Sequence, residues 1–232
     1  MRDKSRYRSS RVAEYRAPRG IFAGNKTVRF GLIAILACIL TVQLYNRLTP
    51  HLLKGPIDDV FRHNPKRLAI IYGTGGPAAQ ELGDYAIKVS HLLGKSLGHP
   101  ILVYPDTLAD NELLENYSLI LYGPLEQDLV ARTMQEFFPF EFSGRGVALR
   151  GRRIEESHWR LIFALPNPLN RKYYVLVYTG PSAADVIGIN ILGSPNFVRH
   201  DTTDYVLAVG DRIVEQGRFD KSDPALWVLP SQ

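Results

Sequence analysis

Beyond about residue 67, uniformly apolar runs alternate with segments in which apolar residues recur every three or four positions. The apolar runs predict buried strands at 68–72, 101–104 and 118–122. The helical spacing predicts helices at 78–98, 109–116 and 125–138. Strands that are apolar throughout and that alternate with helices are typical of a parallel sheet covered on both faces.

The second half of the chain is richer in strands. Apolar runs predict strands at 160–166 and 173–178, hairpins at 147–154 and 205–215, and a helix at 181–192. We therefore expect residues 67–232 to form one α/β domain, a three-layer sandwich with a mainly parallel (mixed) sheet and a strand-rich C-terminal extension.

The longest uncharged segment precedes this domain. Seventeen residues, 30–46, carry no charge and are bracketed by Arg29 and Arg47. As a helix they would extend roughly 26 Å, which is close to the thickness of a bilayer core. The sequence predicts a single transmembrane anchor here, and residues 47–66, with three prolines, are expected to be a linker. A cleaved signal peptide is the less favoured alternative, because nearly 30 residues precede the apolar run.

Charge is distributed unevenly along the chain. Residues 1–29 hold nine Lys or Arg against two Asp or Glu, whereas residues 67–232 hold fifteen against nineteen. The positive-inside rule places a basic, disordered tail in the cytoplasm and the domain outside the cell. Since the basic pI belongs to the tail, no nucleic-acid partner is predicted for the domain.

Cys38 is the only cysteine of the chain, which excludes an internal disulfide and every cysteine-rich zinc site. The residues 35–38 are similar to the acylation signal of bacterial lipoproteins, but the apolar run continues beyond them. Two interpretations stay open, a lipidated Cys38 and a small apolar side chain facing lipid.

One local pattern occurs three times. The segments 72–77, 122–124 and 178–181 each end an apolar run in Tyr, pass through Gly and begin a helix at Pro. Such turns lie at the carboxyl ends of parallel strands, where open α/β sheets bind ligands. They predict a ligand site formed by Gly73, Thr74, Gly75, Gly76, Gly123 and Gly180. The alternative is that they are only favourable turns.

Two further observations concern cofactor binding and catalysis. Residues 73–78 satisfy the dinucleotide pattern G-x-G-x-x-A, with Asp106 as the candidate ribose ligand, although 33 residues separate it from Gly73 against the usual spacing of about 20. The sequence contains no G-x-S-x-G nucleophile motif between a predicted strand and the helix that follows it, no G-x-x-x-x-G-K-[ST] phosphate-binding loop and no H-E-x-x-H zinc-binding helix. Its histidines are spread along the sequence. No catalytic residue, metal or cofactor is therefore nominated.

Three segments, 166–180, 204–210 and 216–229, carry a resemblance to a known class of domains. They resemble the C-terminal accessory domain of secreted bacterial esterases and prolyl-oligopeptidase-like hydrolases, over about residues 67–230. In those proteins the nucleophile lies in the preceding domain, so the resemblance implies no catalytic residue here. The sequence departs from the pattern in having a tail and an anchor in place of a hydrolase domain.

Within the resembling region, Asn167 and Asn170 flank Pro168. Asparagine favours turns, but beside the glycine turns these amides would contact a sugar or peptide. We expect a non-catalytic, membrane-anchored module for binding or assembly with a protein partner at the cell envelope. The alternatives are an envelope hydrolase whose site comes from residues distant in sequence, and a dinucleotide-binding domain.

Overall fold

The computed structural model describes residues 53, 55–144, 146–155, 157–187, 202–224 and 226–231. The predicted tail, the predicted anchor and Cys38 lie outside these residues. Among the residues that it does describe, no helix has the length and apolar character needed to cross a membrane.

Strands and helices alternate in the first half of the described chain, and strands mostly follow one another in the second half. The strands are β1 Leu68–Tyr72, β2 Leu102–Pro105, β3 Ser118–Tyr122, β4 Glu141–Ser143, β5 Gly146–Leu149, β6 Arg152–Ile154, β7 Trp159–Pro166, β8 Tyr174–Thr179, β9 Tyr205–Val209 and β10 Arg212–Gly217. The helices are α1 Asp59–His63, α2 Ala79–Leu97, α3 Asn111–Asn116, α4 Leu129–Met134 and α5 Ala183–Ile187. Single 3₁₀ turns lie at Asp106–Leu108, Leu125–Gln127 and Gln135–Phe137.

Seven strands form one mixed sheet in the order β2-β1-β3-β8-β7-β9-β10. The strands β2, β1, β3 and β8 are parallel, and β7, β9 and β10 are each antiparallel to their neighbours. A second, three-stranded antiparallel sheet has the order β4-β5-β6. The α/β fold with a mixed sheet is therefore confirmed.

The centre of the sheet is the core that the apolar runs predict. Ile70, Ile120 and Leu176 are paired across β1, β3 and β8, and all three are fully buried. Each such side chain stabilises the fold by about 1.5–3 kcal/mol relative to exposure. The long helix α2 turns its Leu82 and Val89 toward this core and is capped by Gly98, whose φ of 76° favours glycine.

Two predicted helices are shorter in the structure. The segment 125–138 is interrupted because Asp128 adopts an extended conformation and caps α4, accepting a hydrogen bond from the amide of Ala131 at 2.9 Å. In the segment 181–192, α5 covers Ala183–Ile187, and the following residues lie outside the described part.

Part of the segment expected as a linker belongs to the core. Ile57 and Val60 are fully buried, and the Ile57 amide donates to the Thr203 carbonyl at 2.9 Å. The Tyr174 hydroxyl donates to Asp59 at 2.5 Å, which fixes α1 against β8. The folded chain therefore begins well before residue 67, because Ile57, Val60 and Phe61 provide one apolar helical face.

Candidate functional site

The three tyrosines that precede the glycine turns are neighbours in the sheet. Tyr72 pairs with Tyr122, and Tyr122 pairs with Tyr178, across parallel strands. The rings of Tyr122 and Tyr178 stack with their centroids 4.7 Å apart, and burial raises the pKa of both hydroxyls well above its ordinary value. All three turns therefore lie where the parallel strands β1, β3 and β8 end. We call this end of the sheet the carboxyl edge.

The first glycine turn is filled by the protein itself. The amides of Gly73, Thr74 and Gly75 donate to the Tyr122 carbonyl, the Asp106 carboxylate and the Gln127 carbonyl, at 3.0, 3.2 and 2.9 Å. A side chain on Gly73 would lie 2.7 Å from that same Gln127 carbonyl oxygen. These glycines are needed because the segment 125–128 packs directly against them, and the amides of Gly73, Thr74 and Gly75 are engaged.

The space over Gly76 is occupied by the Gln127 side chain. A pyrophosphate bound at residues 73–78 would have to displace that side chain. The dinucleotide interpretation also needs an outward-facing acid after β2, yet Asp106 is buried. Its Oδ1 accepts from the Thr74 hydroxyl at 2.5 Å and its Oδ2 from the Leu129 amide at 2.7 Å. The geometry argues against a dinucleotide fingerprint at this turn.

Asp128 is a second buried acid behind the same turn. Its Oδ1 accepts from the Ala131 amide, and within the described chain its Oδ2 has no hydrogen-bond partner. Burial raises the pKa of the Asp128 carboxyl to about 7, against the Ala131 hydrogen bond and with a smaller contribution from the charge of Asp106. Because Asp128 is buried, we assign its raised pKa to the packing of the fold and not to a binding or catalytic site.

The second and third turns enclose a pocket of about 170 Å³ at the carboxyl edge. We call it the carboxyl-edge pocket, and its described lining residues are Pro124, Leu125, Glu126, Gln127, Gln135, Phe142, Gly144, Trp159, Gly180 and Pro181. Among them Glu126 alone carries a formal charge. Gly180 is thus in the pocket wall, whereas Gly73, Thr74, Gly75, Gly76 and Gly123 are not among the residues that line it.

A histidine and an acid meet beside this pocket. Nδ1 of His158 lies 3.1 Å from Oδ1 of Asp185, and Oδ2 of Asp185 accepts from the Ser182 hydroxyl at 2.5 Å. The Asp185 side chain is 3% exposed and that of His158 is 71% exposed. The carboxylate can hold the imidazole with its other nitrogen toward solvent, the orientation used for general-base catalysis. Ser182 contacts the acid and so lacks the base that would activate it as a nucleophile.

Sequence reasoning missed this pair because 27 residues separate its members. Ser182 and Asp185 stand at the first and fourth positions of a helix-capping pattern, and the Asp185 amide donates to the Ser182 hydroxyl at 3.3 Å. That pattern was readable. His158 lies beside Asp185 because β7 runs antiparallel to β8. No local sequence pattern predicts that pairing.

Asn167 and Asn170 lie in the loop from β7 to β8, at the end of the sheet opposite to the carboxyl edge. The Asn167 side chain donates to the Leu114 carbonyl at 2.7 Å, and that of Asn170 donates to the Glu115 carbonyl at 2.8 Å. Their side-chain oxygens accept from backbone amides two residues ahead. The structure therefore separates these asparagines from the glycine turns and uses them to tie the loop to α3.

No group of three or more His, Cys, Asp or Glu residues that could hold a metal ion occurs among the described residues.

No protein-family model, curated protein or solved structure matches this chain at a significant level. The resemblance to the accessory domain of secreted esterases and prolyl-oligopeptidase-like hydrolases stays a prediction from the sequence.

Proposed function

We propose that this chain is a membrane-anchored, extracytoplasmic module without catalysis, which meets a protein partner of the cell envelope through its carboxyl edge. In the finer picture the domain is a three-layer sandwich with a strand-rich C-terminal extension, residues 30–46 span the membrane, and the basic tail is cytoplasmic.

The observation that carries the proposal is the packing of the first glycine turn. An open α/β sheet holds its ligand at the carboxyl ends of its strands. Here the amides of Gly73, Thr74 and Gly75 are engaged by protein atoms, and Asp106 is turned inward. A carboxyl edge in which this turn is closed and a small pocket is left open suits recognition better than turnover of a cofactor-sized ligand.

Membrane orientation is tested by adding protease to intact cells that express the whole chain. We expect release of the domain and protection of residues 1–29, since the charge asymmetry favours a cytoplasmic tail. A chain in which residues 30–46 are deleted is the control and should leave the membrane fraction. Full protection of the domain in a membrane-bound chain would overturn the orientation.

A second function, hydrolysis, is favoured by the contact between His158 and Asp185. In ester hydrolysis, His158 would take a proton from water, the water oxygen would bond to the acyl carbon, and the carbon–oxygen bond to the alcohol would break. The proton would then pass to the departing alcohol.

The hydrolase alternative is tested with p-nitrophenyl acetate as the probe. It requires that His158→Gln abolish the hydrolysis and that His91→Gln, a change at an exposed histidine of α2, leave it intact. Hydrolysis that is absent, or that both variants reduce equally, would eliminate this alternative.

A further inference from the structure

The carboxyl-edge pocket is smaller than most sites that enclose a drug-sized molecule. Ligand pockets for drug-sized molecules usually measure about 300–1,000 Å³, whereas this one measures about 170 Å³. One six-membered ring with its substituents fits that space.

The charges of the described lining residues favour a neutral or cationic ligand over an anionic one. No Lys, Arg or His is among its described lining residues, and Glu126 adds a negative charge at its rim. A phosphate or carboxylate would lose its hydration without gaining a cation in return. Among the described lining residues, the chemistry therefore suits a neutral ligand best.

The walls combine flat apolar surfaces with carboxamides. Trp159 and Phe142 contribute aromatic rings whose centroids are 6.3 Å apart, and Pro124 and Pro181 contribute aliphatic rings. The side chains of Gln127 and Gln135 can each donate and accept hydrogen bonds, and Glu126 can accept. A pyranose offers the matching chemistry, with C–H groups on its faces and hydroxyls around its edge.

We propose that the carboxyl-edge pocket binds one pyranose unit of a neutral sugar. This inference goes beyond the proposed contact with a protein partner, and it depends neither on that contact nor on the membrane orientation. A free monosaccharide and a terminal unit of a glycan share this chemistry, so the test includes both sources.

The experiment measures saturation transfer by NMR from the whole chain, held in a detergent without a sugar head group. The probes are glucose, N-acetylglucosamine and its trimer, with choline and inorganic phosphate as the cationic and anionic comparisons. We expect transfer to the sugar ring protons and none to choline. Phosphate should not displace the sugar. Stronger transfer to the trimer would identify a glycan as the source, and equal transfer a free sugar.

Three variants connect the signal to the pocket. Gln135→Leu and Phe142→Ala should each raise the dissociation constant about tenfold, which is the usual effect of losing one hydrogen bond or one ring contact. Glu126→Gln, at an exposed position, keeps the fold secure and should change affinity by less than Gln135→Leu. The matched control is Glu136→Gln, an exposed neighbour that does not line the pocket.

Absence of sugar transfer, preferential choline binding, or sugar binding that Gln135→Leu and Phe142→Ala leave unchanged would each overturn the sugar site. Those outcomes, obtained with a chain that is still exported and still captures a protein partner, would leave the proposed module function in place. Failure of the protease experiment would instead overturn only the orientation.

Discussion

The carboxyl edge of the sheet and the opposite edge, where the parallel strands begin, carry similar turn residues. They differ in whether a pocket lies beside the turn. At the carboxyl edge, the buried Gly180 lines a pocket together with Trp159. At the opposite edge, the carboxamides of Asn167 and Asn170 bond to the end of α3 and to their own loop. The residue types of a turn therefore do not by themselves decide whether it borders a pocket or is tied into the fold.

The opposite edge is also closed by a buried ion pair. Asp204 is fully buried and accepts from the Phe219 amide at 2.9 Å and from the Lys221 ammonium at 2.8 Å. The Lys221 nitrogen lies 4.2 Å from the ring centroid of Trp227. This edge therefore contributes stability, and changes there should lower the free energy of unfolding without affecting the pocket.

The largest effect is expected from Asp204→Ala. It removes the acceptor of the Phe219 amide and one partner of the partly exposed Lys221, which should cost about 3 kcal/mol. Urea unfolding followed by tryptophan fluorescence measures the loss. Asp211→Ala is the control at the carboxyl edge, because Asp211 is 91% exposed in its ion pair with Arg160. A similar loss in both variants would contradict the contrast between the edges.

The second effect concerns pH. The pKa of the Asp128 carboxyl rises from 3.8 to about 7 on folding, so the folded state holds its proton more tightly. The free energy of unfolding should therefore fall as the pH rises through this interval, by about 2 kcal/mol between pH 5 and pH 7.5. Asp128→Asn should remove this slope, and an unchanged slope in that variant would assign it to other groups.

A smaller loss is expected for Asn167→Ala. Both ends of this buried carboxamide are bonded, to the Leu114 carbonyl and the Leu169 amide, so its removal should cost about 1.5 kcal/mol in urea unfolding. Sugar affinity should stay the same, because the loop lies away from the pocket. Asn170→Ala, at a partly exposed position, should cost less. A drop in sugar affinity with intact stability would refute the architectural role of this loop.

The smallest stability effect is expected for Glu126→Gln at the pocket rim. Its side chain is exposed, so urea unfolding should change by less than about 0.5 kcal/mol. A change above 1 kcal/mol would mean that the rim supports the fold.

Much of the sheet was predictable from the sequence, because β1 and β3 are apolar throughout and α2 has a regular apolar face. The meeting of the three turns at one edge follows from the same logic, since they end parallel strands. The buried start of the domain was also readable, because Ile57, Val60 and Phe61 share helical spacing. It was masked by the prolines around it.

The remaining features depend on long-range packing. The pocket forms because the β4–β5 hairpin brings Phe142 over Trp159, and His158 reaches Asp185 because β7 runs back along β8. The closure of the first glycine turn depends on where Gln127 lies. None of these contacts is encoded in a short motif. The sequence therefore predicts at which edge of the sheet the site lies, but not which side chains form it.

We propose that the chain meets a protein partner at the carboxyl edge of the domain. A photo-crosslinking residue placed in the whole chain at Glu126 or at Lys172, both exposed and on opposite edges, tests it directly in intact cells. We expect a specific protein adduct from position 126 and none from position 172. Adducts from position 172 alone, or from neither position, would contradict the account.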